Sequence, residues 1–237
     1  MFQTSRRPII FVGYSLGGLL VKEVGPTVTL PVEPGTDPST QAIVQAHRKS
    51  KDSSNLDLCK ACCGMLFFGV PNLGLRHEQL RSITEGQSNK ILVNDLIVDG
   101  DTETSNFLKR LSEQFSDCCK SMYKVISFYE LKHSPTVEVG CGPGTRDMLL
   151  MSAQTQPDGT LLKTGPKCLM VTEKSATSTG LVAVADEDNI PFNTDHTGLV
   201  KYDSQEHGLY PIVKERLKSL VDGEAPRAAQ RFAETCT

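Results

Sequence analysis

The sequence contains no tryptophan, and aromatic residues fill only 6% of its 237 positions. It has no run of eighteen consecutive apolar residues, which argues against a membrane-spanning helix. It also has no excess of positive charge: 25 Lys and Arg stand against 28 Asp and Glu, for a net charge of -3. That balance argues against a nucleic-acid binder, which normally carries a strong basic bias. Metal-ligand spacing is nearly absent too. Cys59-Lys60-Ala61-Cys62 has redox or zinc spacing, yet no second CxxC and no HxxxH follows it. A structural zinc site needs four ligands, so this stretch is read as a small-residue helix end leading into a buried strand. No metal and no cofactor are expected. The eight cysteines are irregularly spaced in a chain too long to need a disulfide framework, and they read as reduced thiols of a soluble intracellular protein. No internal repeat is visible. What remains, 38% hydrophobic and 22% charged, is ordinary globular composition with length for one sizeable domain.

One stretch near the start carries chemistry. "RRPIIFVGYSLGGLLVKE", residues 6–23, admits two readings. Arg6 and Arg7 before a mostly apolar segment look like the start of a secretory signal. Against that, the stretch holds three glycines and no small-x-small cleavage site before Lys22-Glu23. The other reading accounts for more residues. Residues 9–12, Ile-Ile-Phe-Val, form a β-branched run expected as a strand buried on both faces. Residues 16–24 read as a helix. Between them lies Gly13-Tyr14-Ser15-Leu16-Gly17, a G-x-S-x-G turn from strand to helix. At such a turn the serine backbone is strained and its neighbours are crowded. Gly13 and Gly17 are therefore expected where a side chain would collide with strand or helix. The helix N-terminus beneath Ser15 favours developing negative charge.

The rest of the chain alternates strand and helix. Residues 25–40 are a Pro/Gly/Thr-rich loop, and residues 41–50 a short helix. Residues 65–68 form a second fully buried strand, closed by a Gly69-Val70-Pro71 turn. Residues 77–98 look helical but discontinuous. In residues 103–119, Phe107, Leu108, Leu111 and Phe115 share one helical face. "MYKVISFYE" is a third strand, ending at Glu130. Residues 131–167 read as a long polar excursion. Residues 169–172 give a short strand followed by a turn, His196 falls in a loop, and residues 208–221 form a closing helix. One domain over residues 6–222 and a flexible tail over 223–237 are expected. The order is that of an α/β protein with a mainly parallel sheet flanked by helices.

Five segments, "RPIIFVGYSLGGLLVKE", "GMLFFGVPNLGL", "VISFYE", "MVTEKSAT" and "DHTGLVKY", occur in an order and spacing that resemble the α/β-hydrolase-like domain of the serine active site-containing protein group. This is a group of lipases or serine esterases often fused to NACHT, ankyrin or TPR modules. The resemblance spans about residues 6–205. It implies a Ser–acid–His triad. Ser15 matches the nucleophile, Glu130 the acid and His196 the general base. The Leu16 backbone N–H matches an oxyanion donor. Tyr14 and Asn72 are expected to meet substrate, a small-molecule ester or lipid. Asn72 stands where a histidine is common in these hydrolases, and also reads as a helix cap. The resemblance further implies membrane association without a spanning helix, at mitochondria or endoplasmic reticulum.

The residue types suit the chemistry. A serine hydroxyl is a poor nucleophile until a base takes its proton, and imidazole is the side chain suited to do so near neutrality. The carboxylate fixes the tautomer of that base. His47, His77, His133 and His207 lie in polar or helical surroundings and fit the role less well. For the acid, Asp186, Asp188 and Asp195 remain alternatives to Glu130. The sequence also departs from the family pattern. Strands that precede the nucleophile turn there, with a His-Gly pair supplying a second oxyanion donor, have no counterpart here. The expectation is an incomplete α/β-hydrolase fold with its N-terminal strands missing and an apolar strand edge left open. Loss of one oxyanion donor typically costs about 10²–10³ in rate. A catalytically degraded binding module, or a fragment of a larger multidomain signalling protein, is the competing function.

Overall fold

Short apolar runs at separated points in the chain become strands, and the order in which they pair decides where the polar residues at their ends meet. In the computed structural model the described residues are 7–24, 60–75, 95–96, 104–119, 123–136, 165–181, 185–206 and 208–233. The strands are β1 (Ile9–Tyr14), β2 (Cys62–Phe68), β3 (Lys124–Glu130), β4 (Ser134–Thr136), β5 (Gly165–Cys168) and β6 (Asn189–Phe192). The helices are α1 (Leu16–Val24), α2 (Asn106–Cys119), α3 (Glu173–Thr177) and α4 (Tyr210–Ala233). The loop expected at 25–40, the helix at 41–50, most of the helical stretch at 77–98 and the middle of the 131–167 excursion lie outside the described residues.

β1, β2, β3 and β6 form one parallel sheet in the order β1-β2-β3-β6. Tyr14 pairs with Phe68, Phe68 with Phe128, and Phe128 with Ile190. The C-terminal ends of all four strands therefore line up along one edge of the sheet. In a parallel sheet that edge is where ligands are usually bound.

Each face of the sheet is covered by helix, which makes the protein a parallel α/β fold. On one side Leu19 of α1 and Leu108, Leu111 and Phe115 of α2 pack on Met65, Phe67 and Val125. The buried positions of α2 recur at helical spacing, as its sequence requires. Full burial of such side chains contributes about 1.5–3 kcal/mol each. On the other side Leu220 of α4 and Leu199 pack on Leu66, Phe68, Ile126, Phe128 and Phe192. The Phe68 and Phe128 rings stack at 4.5 Å. No helix among the described residues is long and apolar enough to cross a membrane.

Four expectations need correction. The first concerns β1, which is not buried on both faces: Val12 is 61% exposed. β1 takes a ladder partner only on its β2 side among the described residues, and α4 packs chiefly on β2 and β3. Second, residues 169–172 are not a strand. The strand lies at Gly165–Cys168 and pairs antiparallel with β4, apart from the main sheet. The Met170 and Val171 N–H groups, which a ladder would have used, turn to the Glu130 carboxylate. Third, β6 was not anticipated, because Pro191 interrupts its short run. Pro191 is tolerated since β6 takes a ladder partner only on its β3 side among the described residues, and the Pro191 position needs no outward N–H. Fourth, residues 223–233 are helix and not tail. Ala228 is buried, and the Arg231 guanidinium donates to the Cys62 carbonyl and lies 5.4 Å from the Tyr123 ring.

Candidate active site

The turn after β1 is held by backbone geometry before any side chain is considered. Ser15 has φ +50°, alone among the described non-glycine residues in being positive. A left-handed conformation at such a residue costs on the order of 1–3 kcal/mol and persists only where surrounding structure enforces it. Here the Ser15 N–H donates to the Phe68 carbonyl at 2.8 Å, and the Ser15 carbonyl accepts the Gly18 N–H at 3.1 Å. The helix and strand are pressed together behind the serine. A Cβ on Gly13 would lie 2.5 Å from the Gly18 Cα, and one on Gly18 would lie 2.1 Å from a Val70 methyl. Gly17, expected to be crowded, has nothing within 4 Å of a Cβ built on it. The glycine the turn requires beside Gly13 is therefore Gly18, because α1 rests there on the loop after β2.

Three side chains from three strand ends meet at this point. Ser15 follows β1, Glu130 ends β3, and His196 lies four positions beyond β6. His196 Nε2 stands 3.0 Å from Ser15 Oγ. His196 Nδ1 stands 2.5 Å from Glu130 Oε2. A carboxylate offers only acceptors, so it selects the tautomer with hydrogen on Nδ1. That leaves Nε2 as the acceptor facing the Ser15 hydroxyl. Glu130 is 1% exposed and His196 7%. A carboxylate so deeply buried must have its oxygens satisfied. Its Oε1 accepts from the Met170 N–H at 2.8 Å and the Val171 N–H at 3.1 Å.

The histidine backbone is gripped as well. The His196 N–H donates to Ser134 Oγ at 3.1 Å, and its carbonyl accepts from the Tyr14 hydroxyl at 3.3 Å. The Tyr14 and His196 ring centroids are 5.1 Å apart. Burial pushes the Tyr14 hydroxyl above its ordinary pKa, and the nearby Glu130 charge pushes it further the same way. The phenol so remains a donor across the neutral range. Gly69, at φ +54°, makes room for the imidazole: a Cβ there would sit 2.7 Å from His196 Cε1.

None of the three alternative aspartates hydrogen-bonds the His196 ring, whose partners among the described residues are Glu130 and Ser15. Asp188 pairs with Lys124 at 3.1 Å, at the opposite end of β3 from Glu130. Asp195 Oδ1 accepts the Gly198 N–H at 2.8 Å. Asp186 lies exposed in a short 3-10 turn, and His133 is exposed next to β4. Asn72 is 1% exposed and donates to the Ala176 carbonyl at 2.9 Å. It ties the loop after β2 to α3 and makes no hydrogen bond to Ser15, His196 or Glu130. The Leu16 N–H opens α1, where the first turn of a helix leaves its N–H groups without intrahelical acceptors. It takes no acceptor among the described residues. No group of three or more His, Cys, Asp or Glu among the described residues is arranged to hold a metal ion.

Sequence reasoning missed Ser134, the Met170 and Val171 N–H pair, and the contact of Gly69 with the imidazole. Only Gly69 carried a signal, as a glycine directly after a buried strand. A comparison of the chain with known protein families, with curated proteins and with solved structures finds no match.

Proposed function

We propose that the chain is a serine hydrolase that cleaves carboxylic esters, lipid or acyl esters among them. Ser15 is the nucleophile, His196 the general base and Glu130 the acid that orients it. The observation that carries the reading is the continuous row from Ser15 Oγ through both nitrogens of His196 to Glu130 Oε2. A left-handed serine at a strand-to-helix turn supports it independently. So does the chain order of serine, acid, histidine on a parallel sheet, which is that of α/β-hydrolases. In this reading the sheet belongs to an α/β-hydrolase fold, and the outer side of β1 is where further strands of such a fold would pair.

The steps follow from the geometry. His196 Nε2 takes the Ser15 hydroxyl proton as Oγ attacks the ester carbonyl carbon. The negative charge that builds on the carbonyl oxygen is met by the Leu16 N–H at the start of α1. The imidazolium, stabilised by Glu130, returns the proton to the departing alkoxide, which leaves as the alcohol. A water then repeats the sequence on the acyl-serine: His196 takes one of its protons, hydroxide adds, and the acid is released with Ser15 Oγ reprotonated.

The test is release of p-nitrophenolate from p-nitrophenyl esters of graded acyl length. The account expects a burst equal to the enzyme concentration from the wild-type protein and none from Ser15→Ala. A cooperatively folded wild-type protein that turns over none of the series would leave the binding-module reading in its place.

A further inference from the structure

The small β4–β5 ladder lies outside the main sheet, and no step of the proposed chemistry uses it. Its bonding nevertheless runs into the site at two points. After Glu130 the chain is fastened stepwise to the segment leading to His196. The Leu131 N–H donates to the Phe192 carbonyl and the Lys132 N–H to the Thr194 carbonyl, each at 3.0 Å. The next tie is made by a side chain, the Ser134 hydroxyl accepting the His196 N–H at 3.1 Å. Ser134 is 6% exposed, so water does not substitute freely for that bond. Ser134 is also a register position of the ladder, opposite Cys168 of β5. Just past Cys168 come Met170 and Val171, whose N–H groups hold Glu130 Oε1. The bonds thus close a circuit from Glu130 along the chain to Ser134, across to β5, and back to Glu130. His196 is attached at Ser134.

We infer that Ser134 is a positioning residue for His196, and that the β4–β5 ladder holds the acid and the base in a single register. Ser134 makes no hydrogen bond to the Ser15 hydroxyl; it acts by fixing the backbone from which the imidazole reaches both Glu130 and Ser15. The kinetic arm of the test rests on Ser15 being a nucleophile, while the spectroscopic arm does not.

The experiment compares wild type, Ser134→Ala and Ser134→Thr. The first readout is the far-downfield proton resonance of the His196 Nδ1–H, assigned by its loss in His196→Gln. The second is the rate of covalent labelling by a fluorophosphonate. In Ser134→Ala the resonance is expected to broaden into exchange at a temperature where wild type keeps it. Labelling is expected to slow by about 10- to 100-fold, the scale of a small misplacement of a reacting group. Ser134→Thr, which keeps the hydroxyl, is expected to restore both. Should Ser134→Ala not fold, Ser134→Cys, a near-isostere with a weak acceptor, carries the same comparison. Wild-type behaviour of Ser134→Ala in both readouts would overturn the inference, as would a folded wild-type protein lacking the resonance. A resonance lost in Ser134→Ala with no labelling of wild type would uphold the positioning role and overturn the hydrolase reading.

Discussion

Glu130 and His196 are 66 residues apart in the chain, yet Oε2 of one and Nδ1 of the other stand 2.5 Å apart. The sheet makes that approach. β3 and β6 are parallel neighbours with Glu130 opposite Phe192, so the residue that ends one strand lies beside the loop that follows the other. Both groups are buried, and the carboxylate is matched by two backbone N–H groups on its far oxygen.

Glu130→Gln keeps the shape of this arrangement and removes its charge. An amide can present N–H to Nδ1 and so select the wrong imidazole tautomer. Ester turnover is expected to fall by about 10⁴, the scale seen when such an acid is made neutral. Steady-state kinetics on a p-nitrophenyl ester checks this, with circular dichroism showing that the fold is kept. Turnover within threefold of wild type, about one-half of a decade, would remove Glu130 from the mechanism.

Two glycine substitutions are expected to act in opposite directions. Gly17→Ala adds a methyl where nothing lies within 4 Å, and it replaces glycine by a better helix former. It should stabilise the fold by about 0.5–1 kcal/mol, raising the melting temperature by about 1–4 °C for a chain of this size. Thermal unfolding followed by circular dichroism measures it, and a lowered melting temperature would contradict the placement of Gly17.

Gly69→Ala puts a side chain at φ +54° with its Cβ 2.7 Å from His196 Cε1. Backbone strain of about 1–3 kcal/mol is expected, and displacement of the imidazole should slow fluorophosphonate labelling by about 10²-fold. Melting and labelling are measured on the same sample. A variant that melts lower and labels at the wild-type rate would show that Gly69 serves the backbone alone.

Alkaline pH should weaken the fold through its tyrosines. Burial raises the pKa of Tyr14, Tyr129 and Tyr202 above the ordinary 10.0, and for Tyr129 its hydrogen bond to Glu173 adds to the rise. Their folded pKa values lie above the unfolded value, so the folded state holds these protons more tightly. The stability they contribute is complete below pH 10.0 and is lost as pH rises through the folded values. Urea titrations from roughly pH 9 to 11 should show the midpoint steady at the lower end and falling as pH passes the ordinary tyrosine value, less steeply in Tyr129→Phe. A midpoint that holds steady while the tyrosines ionise would contradict this.

The strand-to-helix turn at Ser15 was legible in the sequence because its determinants are local. A β-branched run, a serine between glycines and a helical segment all fall within residues 9–24. Glu130 was legible as a carboxylate ending a strand and His196 as a histidine in a loop. The preference for Glu130 over three aspartates came from resemblance, since which carboxylate faces the imidazole depends on strand order. In the structure Asp188 is spent on Lys124 and Asp195 on a local turn. Local patterns failed where tertiary contacts decide. Leu169 to Thr172 looks like a strand, but the two N–H groups there are drawn to a buried carboxylate. Residues 223–233 look like a Pro/Gly-containing tail, but a buried alanine and an arginine reaching back to β2 keep them helical. The glycine that matters behind Ser15 is set by Val70, a residue far along the chain.

The most direct measurement of the central claim is intact-mass and peptide mapping of the wild-type protein after reaction with a fluorophosphonate, beside Ser15→Ala and His196→Gln. The account predicts one adduct per wild-type chain, located on Ser15, no adduct on Ser15→Ala, and labelling of His196→Gln slowed by several powers of ten, about 10³ or more. A folded wild-type protein that takes up no probe, or one modified at another residue, would contradict it.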